Sequence, residues 1–308
     1  MIAAAWDGTI HLEGESLASL AARHGGQVRS GGDERPLHLA PLSRAGPGDL
    51  APVLGARGLA AAQRALRVGA ALLVDASVAS RIGPAPALWI HDHATWAMAE
   101  LLDQAVVPDA EPVVGAGCAV ATSAKLGPRV VLGARVRIGD GAVIGHPGFG
   151  WAAGADGRVR AVPQLGGVVI EDDVAIGPLS TVDAGTLAPT RIRRGAKLDA
   201  HVHVGHNADI GEDTIVAAQC GFAGSVVIGR GVRIGGQAGI ADHVTVGDGA
   251  SIAAKSGVIG DIPAGATVAG YPAVERMLWL RALAALYSGV RARSRAGHGL
   301  REAAGPPR

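Results

Sequence analysis

Histidine is the residue type in this chain with the clearest potential for chemistry, and six of the eleven histidines lie in or beside one region. They are His146, His201, His203, His206, His243 and, in the tail, His298. Because an imidazole takes up and releases protons near neutral pH, it often serves as a general base. His206 follows Asp199 by seven residues, and an acidic partner of this kind can orient an imidazole. Outward histidines can equally be solvated or fill a subunit interface, so both interpretations stay open.

A six-residue repeat shows which element would position these histidines. Aliphatic residues, and once a phenylalanine, recur at this spacing in three blocks. The first is Val114, Val120, Leu126, Leu132, Ile138 and Ile144, the second is Ile170, Ile176 and Val182, and the third is Ile192, Leu198, Val204, Ile210, Val216, Phe222, Ile228, Ile234, Ile240, Val246, Ile252 and Val258. Chance alternation in a valine-rich chain does not give twelve consecutive matches in one register. Hexapeptide repeats of this kind indicate a β-helix.

One hexad supplies a short strand and a turn, so three hexads complete a triangular coil of 18 residues. The repeat therefore predicts a mainly β fold, a left-handed parallel β-helix of about seven coils. Its left hand is an expectation from hexapeptide proteins, because ordinary parallel crossovers are right-handed. The aliphatic residue should point inward. Glycine often follows it, as at Gly211 and Gly229, where we expect it to tolerate a turn that a Cβ would strain.

Coil arithmetic brings three candidate site residues to one edge of this prism. His206 is third in its hexad, where side chains face outward near a corner. One coil further along the chain is Gly224, and two coils plus one residue further is His243. The two histidines should lie roughly 10 Å apart along the prism. This span suits a base, an oxyanion-binding backbone N–H and a substrate-binding group.

The residues outside the repeat predict two further units. The boundaries are 1–105 for an N-terminal α/β domain, 113–262 for the β-helix domain, and 273–308 for a C-terminal helix and tail. The first domain has predicted helices at Leu17–His24, Leu59–Val68 and Thr95–Leu102, predicted strands at Ala71–Val74 and Ala87–Ile90, and a turn at Gly46–Asp49. A linker is expected at 106–112. Pro263 and Pro272 mark the end of the prism, and an amphipathic helix is predicted at Glu275–Val290.

The segment from His146 to Gly167 breaks the hexad period and must leave the prism as a loop of about 20 residues. It holds Phe149 and Trp151 in a chain that has only five Trp, two Tyr and two Phe. Long excursions from a regular scaffold commonly carry function, so both rings are candidates for substrate binding. A packing lid over a neighbouring subunit is the alternative, and the two roles are compatible.

The composition excludes several classes of protein. The 308 residues include 28 Lys and Arg against 27 Asp and Glu, which fits neither a generally basic nucleic-acid binder nor an acidic disordered chain. No apolar run approaches the roughly 20 residues of a transmembrane segment. Met1–Leu20 lacks the basic start of a secretory signal. Cys118 and Cys220 suggest neither a disulfide scaffold nor a metal cluster. We therefore expect a cytoplasmic protein.

Five stretches of sequence carry a resemblance to a known family. They are GHPGFGWA, VPQLGG and AHVHVGHNADIGEDTIVAAQCGFAG in the repeat region, and LAPLSRAGPGDLAPVLG with ALWIHDHATWAMAELL in the first domain. Together they resemble the UDP-3-O-acylglucosamine N-acyltransferases of lipid A biosynthesis, and the likeness covers most of the chain. The loop combined with PQLG and VGHN is fairly specific, whereas hexads alone would indicate only an acyltransferase-like prism.

The resemblance implies a homotrimer with active sites between adjacent prisms and a first domain that binds uridine. The donor would be a 3-hydroxyacyl thioester on acyl carrier protein, and the acceptor the 2-amine of a UDP-linked 3-O-acylglucosamine. His206 matches the family's general base, Gly224 its oxyanion donor and His243 its second active-site histidine. Asp199 also matches, and we expect Asn207 to bind substrate. This chemistry requires no metal, covalent intermediate or resident cofactor.

Three alternatives stay open. The family's uracil-gripping positions read Pro52, Gly55 and Gly58 here, so the acceptor could be another amino-sugar. Prism-shaped carbonic anhydrases hold zinc with three histidines at a subunit interface, and the spacing of His201 and His206 suits two of them, although the third position is not a histidine. Finally, the chain could be a trimeric scaffold without catalytic activity.

Overall fold

The computed structural model describes residues 10–105, 110–270 and 280–288. The residues up to Val268 form one compact unit, and those from Ala269 form a second. In the second unit, residues 280–288 are helical, which confirms the centre of the predicted C-terminal helix. The rest of that helix, the tail and residues 106–109 of the linker lie outside the described residues. Within the described ranges, no helix combines the length and apolar character required to cross a membrane.

The first part of the large unit is an α/β domain built around a mixed sheet. In spatial order its strands are Ile10–His11, His38–Leu39, Asp49–Val53, Ala71–Asp75, Leu88–His91 and Gln27–Ser30. Its helices are Leu17–His24, Leu59–Arg67, Ala76–Ala79 and Ala94–Gln104, with a 3-10 turn at Ala56–Gly58. The predicted helices and strands are confirmed, with ends that differ by one or two residues. The predicted turn is closed by the Asp49 N–H, which donates to the Gly46 carbonyl at 3.1 Å.

Alternate residues of the central strands face two separate cores. Leu73 and Trp89 pack in one core with the helices Leu17–His24 and Ala94–Gln104. Leu72, on the opposite face, packs in the other core with residues of the helix Leu59–Arg67. Parallel strands with helices on both faces are buried on both sides, which explains why these strands read as continuous apolar runs rather than alternating ones.

Three parallel sheets form the faces of the prism. The first contains Val113–Val114, Val130–Leu132, Val168–Ile170, Thr190–Ile192, Asp209–Ile210, Val227–Ile228 and Thr245–Val246. The second contains Ala119–Val120, Arg137–Ile138, Ala175–Ile176, Lys197–Leu198, Ile215–Val216, Arg233–Ile234, Ser251–Ile252 and Thr267–Val268. The third contains Lys125–Leu126, Val143–Pro147, Thr181–Ala184, His203–Val204, Gly221–Phe222, Gly239–Ile240 and Gly257–Val258. The predicted left-handed β-helix is confirmed, and its second sheet continues by one strand beyond the predicted end at residue 262.

The hexad residues fill the interior of the prism. Each strand pairs with its equivalents in the coils before and after, as Val204 does with Val182 and Phe222. From Leu132 onward every hexad residue is buried. Val114, in the first coil, is instead 50% exposed, because no preceding coil covers it in the described part of the chain.

Glycine after the inward residue has a different role from the one predicted. The backbone of Gly211 and Gly229 is not left-handed; instead, a Cβ on Gly211 would come within 2.2 Å of the Gly229 carbonyl oxygen in the next coil. The left-handed position falls two residues later in the hexad, at Asn207 (φ 60°) and His243 (φ 58°), for example. At Gly211 glycine therefore allows close stacking of the coils, while the turn itself accepts polar residues.

The excursion from His146 to Gly167 packs on the α/β domain of its own chain. It forms an antiparallel hairpin with strands Trp151–Ala153 and Val159–Ala161. Arg160 pairs with Glu100 at 2.9 Å, and its guanidinium carbon lies 5.0 Å from the ring centroid of Trp96. Ala152 and Val162 join one core of that domain. The hairpin therefore ties the domain to the prism, where we had considered a lid over a neighbouring subunit.

A second, shorter departure from the period lies between Val182 and Ile192, which are ten residues apart rather than six. Leu187 of this insertion is buried in the same core of the α/β domain. The neighbouring Thr186 donates its backbone N–H to Oδ1 of Asn207 at 2.7 Å. The insertion thus connects the first domain with the prism edge that carries His206.

Replacing Phe222 by alanine should lower the free energy of unfolding by about 3–5 kcal/mol, because loss of a fully buried ring leaves a cavity in the prism. The control is Ile215→Ala, which truncates an exposed aliphatic residue of the preceding hexad and should change stability by about 0.5 kcal/mol or less. Urea unfolding followed by circular dichroism measures both variants. Equal losses would contradict the inward placement of Phe222.

Candidate active site

An open cleft of about 840 Å³ lies against the third sheet of the prism. Successive coils contribute His206, Gly224 and His243 to its walls, so the three residues that coil arithmetic placed together do share one site. Phe149 reaches the same cleft from the excursion, and its ring is 84% exposed. The cleft therefore combines imidazoles, backbone without a side chain at Gly224, and apolar surface.

The imidazole of His206 is enclosed by two glycines. A Cβ on Gly224 would lie 2.7 Å from both Cε1 and Nε2 of the ring, and a Cβ on Gly148 would lie 2.4 Å from the Cβ of His206. Any larger residue at either position would displace the ring. The Gly224 carbonyl accepts the His243 N–H at 3.1 Å, whereas the Gly224 N–H takes no part in the inter-coil hydrogen bonds of the described residues. Nε2 of His206 thus lies beside Gly224, whose N–H the coils of the described chain do not use.

Asn207 orients the His206 ring. Its Nδ2 donates to Nδ1 of His206 at 2.8 Å and to Oγ1 of Thr186 at 3.0 Å. The amide cannot be reversed without loss, because its Oδ1 accepts the Thr186 N–H. The Thr186 hydroxyl in turn donates to Oε1 of Gln164 at 2.8 Å. These hydrogen bonds occupy the Asn207 amide within the chain and position the His206 ring, while substrate binding by Asn207 stays a prediction.

This hydrogen bond sets the state of the His206 ring. Because Nδ1 accepts from Asn207, the neutral ring carries its proton on Nε2. Burial lowers the pKa of His206 below its ordinary value of 6.5, and repulsion by the imidazoles of His243 and His203 lowers this pKa further. His206 is therefore neutral at pH 7, as a general base must be before it takes a proton.

Two of the predicted site residues lie away from the cleft wall. The Asp199 carboxylate accepts the Ala200 N–H at 2.7 Å, at the turn that precedes the strand His203–Val204. His206 follows that strand, so the two residues stand at adjacent corners of the coil rather than side by side. Trp151 contacts the ring of Phe149 edge-on, with centroids 6.0 Å apart. In the described part of the chain it supports Phe149 rather than lining the cleft.

Asp183 and His203 line the cleft although neither was predicted as a site residue. The Asp183 side chain is 9% exposed, and its Oδ2 lies 3.8 Å from Nε2 of His203. Burial raises the pKa of Asp183, while the positive charges of His203 and His146 oppose that effect. One signal in the sequence pointed to Asp183: it directly follows an inward hexad residue, where this repeat usually has glycine.

The described residues offer neither a metal-binding cluster nor a disulfide at this site. Within residues 10–105, 110–270 and 280–288, no group of three or more His, Cys, Asp or Glu side chains could hold a metal ion. The zinc alternative, based on His201 and His206, therefore has no ligand set there. Both cysteines are free, and Cys220 is buried, with its Sγ donating to the Gly235 carbonyl at 3.1 Å.

His206 should titrate with a midpoint below 6.5, and its neutral ring should carry the proton on Nε2. NMR of protein labelled with ¹⁵N-histidine reads both properties, because protonated and bare ring nitrogens differ in chemical shift. His243→Gln should raise the midpoint, since it removes one source of positive charge near the ring. A midpoint above 6.5, or a neutral ring with its proton on Nδ1, would contradict the burial and hydrogen bonding described above.

Comparison of the sequence with known proteins shows that the chain is similar to N-acyltransferases along most of its length. The chain is 38% identical to the UDP-3-O-acylglucosamine N-acyltransferase of Anaeromyxobacter dehalogenans strain 2CP-1, across 88% of this chain and 91% of that protein. The protein of the same name from strain 2CP-C is 39% identical across the same shares. Among solved structures, a UDP-N-acetylglucosamine acyltransferase from Campylobacter jejuni is 23% identical, with a TM-score of 0.42, covering 49% of this chain and 64% of that one. No family model matches the chain.

Proposed function

The chain belongs to the UDP-3-O-acylglucosamine N-acyltransferase family, and we propose that it transfers a 3-hydroxyacyl chain from acyl carrier protein to the 2-amine of UDP-3-O-acylglucosamine in lipid A biosynthesis. The observation that carries this proposal is the placement of a neutral imidazole, His206, directly beside the backbone of Gly224 in an open cleft. A base next to an amide donor is the arrangement that acyl transfer to nitrogen needs.

The proposed reaction uses these two groups in turn. The amine nitrogen attacks the carbonyl carbon of the thioester, the carbonyl oxygen gains negative charge, and the Gly224 N–H stabilises it. His206 takes a proton from the nitrogen. When the tetrahedral intermediate collapses, the C–S bond breaks and His206 returns this proton to the departing thiolate. The donor brings its thioester on the phosphopantetheine arm of the carrier, so no resident cofactor or metal takes part.

Base catalysis through Nε2 sets a condition on the tautomer of His206. In the free protein Nε2 already holds a proton, so it can accept another only after the ring moves its own proton to Nδ1. Asn207 would then rotate its amide and present Oδ1 to the ring, which releases the bond from the Thr186 N–H. Without this change, the Nε2–H of His206 would serve as a second oxyanion donor beside Gly224.

The apolar part of the cleft supports an acyl chain as the transferred group and a second subunit as its cover. Phe149 is 84% exposed and Ile259 is 91% exposed, and both line the cleft. Large apolar side chains left open at the rim of a site usually have a partner. We propose a homotrimer in which the neighbouring prism closes this side. The free thiols of Cys118 and Cys220 fit a reducing compartment, so we place the enzyme in the cytoplasm.

One observation favours a second candidate acceptor, a different amino-sugar. At the three positions where the family grips uracil, Pro52 is buried within the strand Asp49–Val53, and Gly55 and Gly58 have no side chain. No aromatic ring is therefore available at these positions to stack on a base. The acyl-transfer residues do not depend on this difference, so the chemistry would be the same with either acceptor.

His206→Gln should lower the turnover number for acyl transfer by about 10²–10⁴-fold, because glutamine cannot take the proton. The assay follows transfer from hydroxyacyl carrier protein to UDP-3-O-acylglucosamine. His201→Gln is the control: His201 lies at an exposed left-handed turn, and glutamine already occupies the equivalent turns at Gln219 and Gln237. Unchanged transfer by His206→Gln would exclude His206 as the base. Absence of transfer by the wild type would mean either that the acceptor is a different amino-sugar or that the protein is a scaffold without catalytic activity.

Asn207→Asp separates the two possible roles of the His206 ring. A carboxylate accepts from both the Thr186 N–H and Nδ1–H, so it would hold the ring in the form whose Nε2 is free. If His206 is the base, this variant should transfer at a rate equal to or above that of the wild type. Loss of transfer, with His206 still folded into the cleft by NMR, would show that the ring acts through its Nε2–H.

Removing the nucleotide from the acceptor should raise its KM by less than about 5-fold, since a stacked uracil would contribute about 1–3 kcal/mol and none can stack at Pro52, Gly55 or Gly58. The measurement compares UDP-3-O-acylglucosamine with its 1-phosphate analogue in the same assay. A rise of about 100-fold would show that this domain grips uridine by other residues.

A further inference from the structure

The Asp183 side chain is largely buried in the cleft wall, and its oxygens, which face the open cleft, accept no hydrogen bond within the described part of the chain. Its side chain is only 9% exposed. Among the described residues, no N–H or O–H lies within hydrogen-bond distance of its oxygens, and the closest ion-pair partner is Nε2 of His203 at 3.8 Å. Buried carboxylates in folded proteins are almost always paired or hydrogen-bonded, because removing their charge from water is costly. An unpaired one at the wall of a cleft therefore indicates a cationic ligand.

His203 is fixed in place next to this carboxylate. Thr181 and His203 are paired residues of adjacent parallel strands, and Oγ1 of Thr181 lies 2.7 Å from Nδ1 of His203. That contact leaves Nε2 on the side of Asp183. The His203 side chain is 50% exposed, so a proton taken up by this ring can pass to water. Asp183 and His203 thus combine a buried negative charge with an imidazole that reaches solvent.

We propose that Asp183 and His203 form the binding site for the ammonium form of the acceptor amine. This inference rests on the proposed function, since it takes an amino-sugar as the acceptor. The protonated form of a sugar amine has no free electron pair on nitrogen and cannot attack a thioester in that state. Asp183 binds the ammonium by charge, and the imidazole of His203 removes its first proton and releases it to water.

The proposal accounts for every proton in the reaction. The ammonium nitrogen starts with three hydrogens, and the amide nitrogen of the product keeps one. The first of the two lost protons leaves through His203 to solvent. The second is taken by His206 as the C–N bond forms, and it ends on the sulfur when the C–S bond breaks. With His203 doing the first step, His206 remains neutral for the second.

Such a site would also select the acceptor. A hydroxyl group carries no positive charge, so it would leave the negative charge of Asp183 uncompensated in the closed cleft, which disfavours binding. The N-acylated product is likewise neutral at this nitrogen, and its release would be favoured for the same reason. Asp183 therefore becomes a specificity residue for amines, distinct from His206 and Gly224, which serve the transfer itself.

Asp183→Asn tests the inference, because the amide keeps the shape of the side chain and removes its charge. At pH 7 this variant should bind UDP-3-O-acylglucosamine at least 10-fold more weakly than the wild type, while it binds the neutral N-acylated product equally well. Calorimetric titration measures both affinities. Transfer by the variant should recover as the pH is raised, since the free amine no longer needs the carboxylate. The control is Asp213→Asn, which removes an exposed carboxylate at a turn outside the cleft.

The outcomes separate this inference from the proposed function. If the wild type transfers and Asp183→Asn binds both ligands as the wild type does, or loses both to the same extent, the ammonium site is excluded and the function stands. If the wild type neither binds nor acylates the acceptor, both the proposed function and the ammonium site are excluded. His203→Gln gives a second test should Asp183→Asn fold poorly: its turnover number should fall about 10-fold with product affinity unchanged, and unchanged turnover would remove His203 from the site.

Discussion

The close stacking of successive coils is the constraint on which the rest of the structure depends. Each coil is hydrogen-bonded to the next, as the Gly205 N–H is to the Phe222 carbonyl at 2.9 Å. The coils approach so closely that a Cβ on Gly211 would lie 2.2 Å from a carbonyl oxygen. A residue's position in the chain therefore fixes its height and its face in the prism. Because Gly224 is one coil above His206, the imidazole lies against a residue that has no side chain. The geometry of the site therefore follows from the repeat.

The repeat alone would not give a working site, and the missing parts come from the places where its period breaks. The excursion after His146 supplies Gly148, which closes on the His206 ring. The insertion after Val182 supplies Thr186, which fixes the amide of Asn207 and, through it, the tautomer of the ring. The same two segments are packed into a core of the α/β domain. That domain consequently holds the His206 imidazole in place through the prism's two irregular segments.

The sequence was sufficient for the features that depend on backbone register, and insufficient for those that depend on side-chain hydrogen bonds. Because one coil has 18 residues, the sequence predicted that Gly224, one coil after His206, and His243, two coils and one residue after it, would lie at the same edge. The role of Asn207 could not be predicted, since it depends on Thr186, which lies in an insertion without the period. Asp183 was missed because a carboxylate after an inward residue reads as a solvated turn unless its burial is known. Glycine was correctly expected in the repeat but for the wrong reason, because contacts between coils are invisible within one hexad.

The ionisable groups of the cleft differ in what they do to stability. The pKa of His206 is lowered by burial, so the unfolded chain binds this proton more readily, and the associated stability is lost as the pH falls below about 6.5. The pKa of Asp183 is raised by burial, so its contribution is present below the ordinary value of 3.8 and is lost as the pH rises through the folded pKa. At neutral pH the charged carboxylate of Asp183 therefore lowers the stability of the fold. A bound cation would remove that cost, and the amine is the cation that N-acyl transfer must bring to this cleft.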